Sequence, residues 1–166
     1  MINVGGGLGI DYNDPDTHFI PDFKSYFTTF KQHLHVRPNQ LIHFELGRTI
    51  VGQCGSLITR VVFVKENRNK KFVIVDAGMT DLIRPALYGA YHKIENLTAG
   101  QTEPTAVYDV VGPVCESSDV FAHERNLPPT HRGDLLAVRS AGAYGESMAS
   151  TYNMRDLPGS IFSSPL

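Results

Sequence analysis

The stretch LITRVVFV at residues 57–64 is rich in the β-branched and aromatic side chains that β-strands favour. A polar segment at residues 65–71 follows it, and a second apolar run, FVIVD, occupies residues 72–76. Two such runs joined by a short polar segment predict an antiparallel hairpin with residues 65–71 at its tip. The second half of the chain is therefore expected to be built on β-strands.

Further strands are predicted at residues 106–111 (AVYDVV) and 135–139 (LLAVR), with proline and glycine in the connections between them. Residues 49–166 are thus predicted to form a β-rich domain, a sandwich or barrel of short antiparallel strands. Its boundary is expected near Arg48–Val51, and the tail after Tyr152 is expected to lie over the surface.

The first part of the chain has a different pattern. Residues 2–4 and 41–45 are typical of strands, and residues 22–33 between them are typical of a helix. This order and spacing predict a parallel strand pair, the repeating unit of an α/β barrel or a doubly wound sheet. The helix carries an aromatic stripe that is expected to pack against the sheet, formed by Phe23, Tyr26, Phe27 and Phe30.

The composition argues against several classes of function. The 166 residues carry a formal net charge of −2, so no general attraction to nucleic acid or to an anionic membrane is expected. No apolar run approaches the ~18 residues of a membrane-spanning helix. Two cysteines, Cys54 and Cys115, are too few for a disulfide framework, and the cytoplasm is the predicted location. The seven histidines show no metal-binding spacing, so no metal site is predicted.

Two segments are candidates for binding a phosphate. Gly5, Gly6 and Gly7 follow the first predicted strand, where their backbone N–H groups could approach an anion, and a tight turn is the alternative. The segment ELGR at residues 45–48 closes the second predicted strand. Because ligands of parallel sheets bind at the carboxyl ends of the strands, both segments are expected at one rim.

Three other places carry reactive or ligand-binding side chains. Arg84 and Tyr88 lie four residues apart, so on a helix they could share a face and bind a carboxylate together. Cys115 stands beside Glu116 in a polar loop and could donate a proton. Tyr144 lies in a tight turn where its hydroxyl could meet a ligand. For Arg84 and Tyr88 the alternative is a surface arginine with a half-buried tyrosine. For Cys115 it is a buried structural thiol, and for Tyr144 it is an ordinary turn.

Six motifs, read in order, resemble the diaminopimelate decarboxylase family, which belongs to the fold type III enzymes that use pyridoxal phosphate. They extend over essentially the whole chain, at residues 3–9 (NVGGGLG), 44–48 (FELGR), 76–79 (DAGM), 84–88 (RPALY), 112–119 (GPVCESSD) and 142–145 (GAYG).

This resemblance implies a (β/α)8 barrel followed by a β-rich carboxy-terminal domain. Residues 1–48 would be the last two units of the barrel, and residues 49–166 would be the second domain. The implied cofactor is pyridoxal 5'-phosphate and the implied substrate is a small amino acid. The family resemblance also implies a homodimer in which two subunits share each active site.

The resemblance implies a role for each candidate residue. Cys115 would be the catalytic proton donor. The cofactor would be held by Gly5, Gly6, Gly7, Glu45, Leu46, Gly47, Arg48 and Tyr144. The substrate would be held by Arg48, Arg84, Tyr88, Glu116 and Tyr144.

The implied reaction converts meso-2,6-diaminopimelate to L-lysine. The far end of that substrate carries a carboxylate, which suits Arg84 and Tyr88, and an ammonium, which suits Glu116. A decarboxylase for ornithine, arginine or carboxynorspermidine is the alternative of the same class, although Arg84 would repel a cationic tail. A non-catalytic dimerisation module is the alternative from another class.

Two departures from the family pattern affect the expected activity. Leu46 stands where the family usually has proline. No lysine of this sequence lies in a motif that matches the family's Schiff-base lysine. We therefore expect the chain to be a carboxy-terminal portion of such an enzyme, inactive by itself and poorly soluble.

Overall fold

This computed structural model describes residues 1–100 and 103–163. The strands within these residues are β1 (Ile2–Asn3), β2 (Ile42–His43), β3 (Leu57–Glu66), β4 (Lys71–Val75), β5 (Ile94–Asn96), β6 (Ala106–Val111), β7 (Val120–Leu127) and β8 (Leu135–Val138). The helices are α1 (Phe23–His33), α2 (Gly47–Val51) and α3 (Arg84–Tyr88), with short 3₁₀ turns at Gly52–Cys54, Glu146–Met148 and Tyr152–Met154.

Six of the strands form one sheet in the order β5-β8-β3-β4-β6-β7. The predicted hairpin is confirmed: β3 pairs antiparallel with β4, and Asn67 and Lys70 close the turn at its tip. The two edge strands, β5 and β7, contact each other, so the sheet curls into a nearly closed barrel.

The core lies inside this curled sheet. Its centre consists of Val61, Val73, Val75, Val110 and Leu136, none of them more than 1% exposed. Thr59 and Val61 of β3 point inward, whereas Ile58 and Arg60 point outward, as the two-residue repeat of a strand requires. The buried face therefore fixes the register of the longest strand.

The prediction that all strands are antiparallel is wrong, because β4 and β6 run parallel. Parallel strands need a long crossover connection, and residues 76–105 supply it, with α3 and β5 in its course. The sequence-based prediction also lacked β5 and β7. The sequence of β7 contains the charged run HER at residues 123–125, which obscures the strand pattern. In the structure Glu124 of this run has a left-handed backbone, with φ 50°.

The amino-terminal segment confirms the predicted parallel pair. Ile2 lies opposite Ile42, and α1 lies within the connection between the two strands. The helix begins at Phe23 because the carboxylate of Asp22 caps it, accepting a hydrogen bond from the Ser25 amide at 2.9 Å.

The aromatic stripe of α1 packs on a single ring beyond β2. Tyr26, Phe27 and Phe30 lie with their ring centroids 5.9, 4.9 and 5.2 Å from that of Phe44. No residue of the helix is fully buried, because the two-stranded sheet covers only part of the stripe.

The described part of the tail, up to residue 163, lies over the surface as predicted, with Ile161 and Phe162 exposed. Residues 164–166 of the predicted tail lie outside the described residues. No helix within residues 1–100 and 103–163 has both the length and the apolar character to span a membrane.

Candidate active site

The glycine loop, defined as Gly5–Gly7, turns sharply at the end of β1. Gly5 and Gly7 have φ values of +71° and +103°, which side chains other than glycine adopt with strain. A Cβ on Gly6 would lie 2.6 Å from the carbonyl oxygen of Glu45. The loop is fixed to the neighbouring turn because the Glu45 amide donates to the Gly5 carbonyl at 2.8 Å. Only glycine fits this close approach of two backbone segments.

The amide groups of Gly6 and Gly7 make no hydrogen bond to any described residue, and both residues are exposed. The loop is held from behind instead, by the Tyr26 hydroxyl, which donates to the Gly6 carbonyl at 2.8 Å. Two free N–H donors on a side-chain-free surface fit a phosphate group. The residues present therefore suit the phosphate of the cofactor implied by the sequence.

The turn formed by Glu45, Leu46 and Gly47 lies directly against the glycine loop. Leu46 is buried and caps α2, which begins at Gly47. The hydroxyl of Thr49 in α2 donates to the carbonyl of Leu8 at 2.6 Å. The structure thus brings the two predicted phosphate segments to one rim, as their positions after parallel strands indicated.

Tyr12 connects this rim to the predicted substrate-binding arginines. The guanidinium carbons of Arg48 and Arg84 lie 6.0 and 5.4 Å from the centroid of its ring. The Tyr12 hydroxyl also accepts a hydrogen bond from Arg84 Nη1 at 2.7 Å. Two arginines from different elements therefore share one aromatic ring, an arrangement that concentrates positive charge around Tyr12.

Arg84 is a buried cation that has no acidic partner among the residues the structure describes. It opens α3, where Pro85 favours helix initiation, and it is only 7% exposed. Its Nη1 lies 2.7 Å from the Tyr12 hydroxyl and 3.3 Å from Nε2 of His92. Within the described residues it forms no ion pair with Asp or Glu. Because buried charges are normally paired, this guanidinium is suited to an anionic ligand.

Tyr88 lies at the other end of α3 and points to a different environment. It is 64% exposed, and it makes no hydrogen bond to Arg84. Although the four-residue spacing does place both residues on one helix, the guanidinium turns inward to Tyr12. Among the described residues, no hydrogen bond or cation–ring contact joins the phenol to the guanidinium.

Cys115 is exposed in a tight loop that Asp119 organises. The Asp119 carboxylate accepts backbone hydrogen bonds from Met79 and Val114, both at 2.6 Å, and the Gly112 amide donates to the Asp119 carbonyl at 3.0 Å. Burial raises the pKa of Asp119, and the two amide hydrogen bonds oppose that rise. Because Cys115 is exposed, the alternative of a buried structural thiol is excluded.

Glu116 is fixed from the carboxy-terminal side of the chain. The Tyr152 hydroxyl donates to Glu116 Oε1, and this hydrogen bond raises the pKa of Tyr152. Arg155, three residues on, donates to the Asp76 carbonyl at 2.6 Å and lies 3.5 Å from Asp81. The 3₁₀ turn that carries Tyr152 is thereby attached to the end of β4.

Tyr144 adopts a left-handed conformation with φ +60° and is half exposed. It follows Gly142, whose Cα packs against Gly55, and the Gly142 amide donates to the Gly52 carbonyl at 3.0 Å. The tyrosine turn is therefore attached just after α2, the helix that contains Arg48.

The predicted site residues form two separate groups. Within residues 1–100 and 103–163, no hydrogen bond, ion pair or ring contact joins the glycine loop, Arg48 or Arg84 to Cys115 or Glu116. One group lies around Tyr12 and the other around Asp119.

Sequence reasoning missed the residues that support these groups, which are Tyr12, His92, Tyr152 and Arg155. Tyr12 could have been noticed as an aromatic residue just beyond the glycine motif. His92 carried no signal, because an isolated histidine shows neither metal spacing nor periodicity.

The curled sheet with its loop-borne side chains belongs to a recognised class of domain. Residues 13–142 match the family model described as pyridoxal-dependent decarboxylase, C-terminal sheet domain. The chain belongs to this family of pyridoxal-dependent decarboxylases. The family confirms both the predicted resemblance and pyridoxal phosphate as its cofactor.

The names of individual relatives are more specific than the description of the family. The chain is 65% identical over 157 residues to the diaminopimelate decarboxylase of Bacteroides thetaiotaomicron, covering 95% of this chain and 40% of that protein. The solved diaminopimelate decarboxylase of Helicobacter pylori, in complex with L-lysine, is 43% identical, with a TM-score of 0.73 and coverage of 93% of this chain and 37% of that one.

A lysine/ornithine decarboxylase from Vibrio vulnificus, solved with putrescine, has a TM-score of 0.78 at 20% identity, over 93% of this chain and 41% of that one. That likeness shows the fold alone. The chain spans about two fifths of the length of the curated relatives that it matches.

Proposed function

We propose that this chain is the carboxy-terminal part of a diaminopimelate decarboxylase, which releases carbon dioxide from meso-2,6-diaminopimelate and forms L-lysine. The observation that carries this proposal is the buried guanidinium of Arg84, which has only neutral partners among the described residues. A substrate with a second carboxylate would supply the missing anion. The names of the relatives at 65% and 43% identity support the same substrate.

We propose that residues 1–48 are the last two units of a (β/α)8 barrel and that residues 49–166 are the second domain. The parallel pair of β1 and β2, with α1 following β1, supports this division. The incompletely covered aromatic stripe of α1 supports it further, since neighbouring units of a barrel would cover such a stripe.

Pyridoxal phosphate would be held through its phosphate by the free amides of Gly6 and Gly7, beside the turn Glu45–Arg48. When bound, it supplies an electron sink for the bond between the substrate carbon and its carboxylate. Tyr144, in the turn attached after α2, is proposed to contact cofactor and substrate.

The substrate residues have complementary charges. Arg84 and Arg48 would bind the far carboxylate, and Glu116 would bind the far ammonium. The exposed Tyr88 is proposed to contact the substrate separately from Arg84. The carbon that loses carbon dioxide takes up a proton, and the exposed thiol of Cys115 would donate it.

We propose that the protein forms a homodimer, and the separation of the two groups of side chains supports this. Because Cys115 and Glu116 have no contact with Arg84 within the described part of one chain, the Cys115 loop of one subunit is proposed to complete the site of the other. The cytoplasm is the proposed location, in line with the two free cysteines.

A hybrid enzyme tests the function. In it, this chain replaces the matching carboxy-terminal part of the Bacteroides thetaiotaomicron relative. We expect the hybrid to bind pyridoxal phosphate, to form a dimer and to release L-lysine from meso-diaminopimelate. A hybrid that binds the cofactor and dimerises, yet forms no lysine, would overturn the proposal.

A further inference from the structure

His92 is the most deeply buried ionisable side chain near the site, and nothing in the proposed reaction uses it. It lies between α3 and β5 and is 1% exposed. The ring of Tyr12 contacts it edge-on, with 5.2 Å between the centroids. Both of its nitrogens have partners, Nδ1 with the Arg139 carbonyl at 2.8 Å and Nε2 with Arg84 Nη1 at 3.3 Å.

These partners fix the proton on the imidazole. A carbonyl oxygen only accepts, so Nδ1 must carry a hydrogen and donate it to Arg139. The guanidinium of Arg84 only donates, so Nε2 must be the bare acceptor. The ring is therefore neutral, with its proton on Nδ1.

Arg84 depends on this neutral form. The Tyr12 hydroxyl and His92 Nε2 are its two side-chain partners, and together they fix the guanidinium without cancelling its charge. A carboxylate in place of His92 would pair with Arg84 and compete with a ligand, whereas a protonated imidazole would repel it.

We propose that His92 is a positioning residue that, as the neutral Nδ1-protonated imidazole, holds Arg84 in the orientation that receives the substrate carboxylate. This inference rests on the proposed function and adds a determinant of substrate affinity to it. The residue touches neither substrate nor cofactor and acts only through Arg84.

Among the described residues, the charge that faces His92 is that of Arg84. Arg84 comes from α3, the Tyr12 ring from the segment after the glycine loop, and Arg139 from the end of β8 through its carbonyl. The guanidinium of Arg139 is directed to Asp16 and Glu95 instead. Burial and the Arg84 charge lower the pKa of His92, whereas its hydrogen bond to the Arg139 carbonyl opposes this.

The test compares His92→Leu and His92→Gln in the hybrid enzyme, with the exposed His131→Gln as matched control. Loss of a hydrogen bond to a charged group predicts that His92→Leu raises KM for meso-diaminopimelate by about tenfold or more, with kcat changed far less. We expect the parent's KM to rise in acid, because a protonated His92 would repel Arg84. His92→Gln keeps an acceptor oxygen and does not titrate, so its KM should stay nearer to that of the parent at neutral pH and should not rise in acid. His131→Gln should match the parent at every pH.

Nuclear magnetic resonance of the hybrid enzyme, carrying isotope-labelled histidines, supplies a readout that does not depend on activity. His92 should appear as the Nδ1–H tautomer and should protonate only below the range of an ordinary histidine. A His92 signal with the proton on Nε2, or a folded His92→Leu hybrid with an unchanged KM, would overturn the proposal. If His92→Leu does not fold, the acid dependence of KM is compared between the parent and His92→Gln. A KM that rises in acid in the parent but not in His92→Gln supports the proposal, and equal rises overturn it. An inactive parent hybrid would instead count against the proposed function, while the tautomer would still test His92.

Discussion

The carboxylate of Asp119 accepts a hydrogen bond from the amide of Val114 at 2.6 Å, across the turn that contains Cys115 and Glu116. Its other oxygen accepts from the Met79 amide at 2.6 Å. A single buried side chain therefore fixes both the proposed proton donor and its neighbouring acid on the end of the sheet.

Asp119→Ala should therefore destabilise the chain and disorder this loop. Losing two buried amide hydrogen bonds predicts a fall of about 2–4 kcal/mol in the free energy of unfolding, measured by urea denaturation of the hybrid enzyme. Asp156→Ala is the matched control, because Asp156 is exposed and makes no hydrogen bond or ion pair within the described residues. Equal stability of the two variants would refute the role of Asp119.

Gly6→Ala should weaken binding of pyridoxal phosphate by the hybrid enzyme. The added Cβ would lie 2.6 Å from the Glu45 carbonyl oxygen, so the glycine loop must move away from its neighbouring turn. We expect the dissociation constant to rise about tenfold or more, as measured by titration of absorbance. Gly9→Ala serves as control, since a Cβ there meets nothing within 4 Å, and should bind normally. Similar affinities for both variants would count against a phosphate role for the loop.

Arg84→Met should remove the positive charge proposed to bind the far carboxylate. In the hybrid, we expect KM for meso-diaminopimelate to rise about a hundredfold, because a charge-assisted pair is lost. Arg84→Lys keeps the charge but not the planar fork and should fall between parent and Arg84→Met. Arg68→Met, at the exposed hairpin tip, is the control. An Arg84→Met variant with unchanged KM would favour a substrate without the second carboxylate.

The stability of the chain should fall in mild acid because of His92. Burial lowers the folded-state pKa of His92 below the 6.5 of an ordinary histidine, so the unfolded chain takes up this proton first as the pH falls. The free energy of unfolding should therefore decrease from pH 6.5 downward, by at most about 1.4 kcal/mol per pH unit for one such group. Urea denaturation between pH 8 and 5.5 measures this slope. His92→Gln should have a flatter slope, and an identical slope would be the contrary result.

Tyr152→Phe should affect substrate binding through Glu116. Without the phenol, the Glu116 carboxylate loses the hydrogen bond that orients it, so we expect KM in the hybrid to rise about three- to tenfold. Tyr91→Phe is the control, because Arg125 contacts the Tyr91 ring, 4.5 Å from its centroid, and phenylalanine keeps that ring. If both variants bind substrate equally well, Glu116 does not depend on Tyr152.

Local patterns predicted much of the fold. The β3–β4 hairpin and α1 are defined by neighbouring residues, and each was predicted to within one or two residues of its ends. The parallel pairing of β4 with β6 was not predicted, because it depends on how residues 76–105 return to the sheet. A local pattern does not encode that return.

The candidate site, like the fold, was predictable from local patterns only in part. The glycine loop and the turn after β2 were predicted to meet, because two parallel strands end at one rim. The environment of Arg84 could not be predicted, since Tyr12 lies 72 residues before it in the sequence. Its orientation toward Tyr12 and His92, away from Tyr88, is a tertiary property of the folded chain.

The most direct test of the proposed substrate is the ratio of kcat/KM for meso-diaminopimelate to that for L-ornithine, measured with the hybrid enzyme. If the uncompensated charge of Arg84 selects a substrate with a far carboxylate, this ratio should exceed about a hundred, because the cationic tail of ornithine would face a buried cation. A ratio near one, or a preference for ornithine, would contradict it.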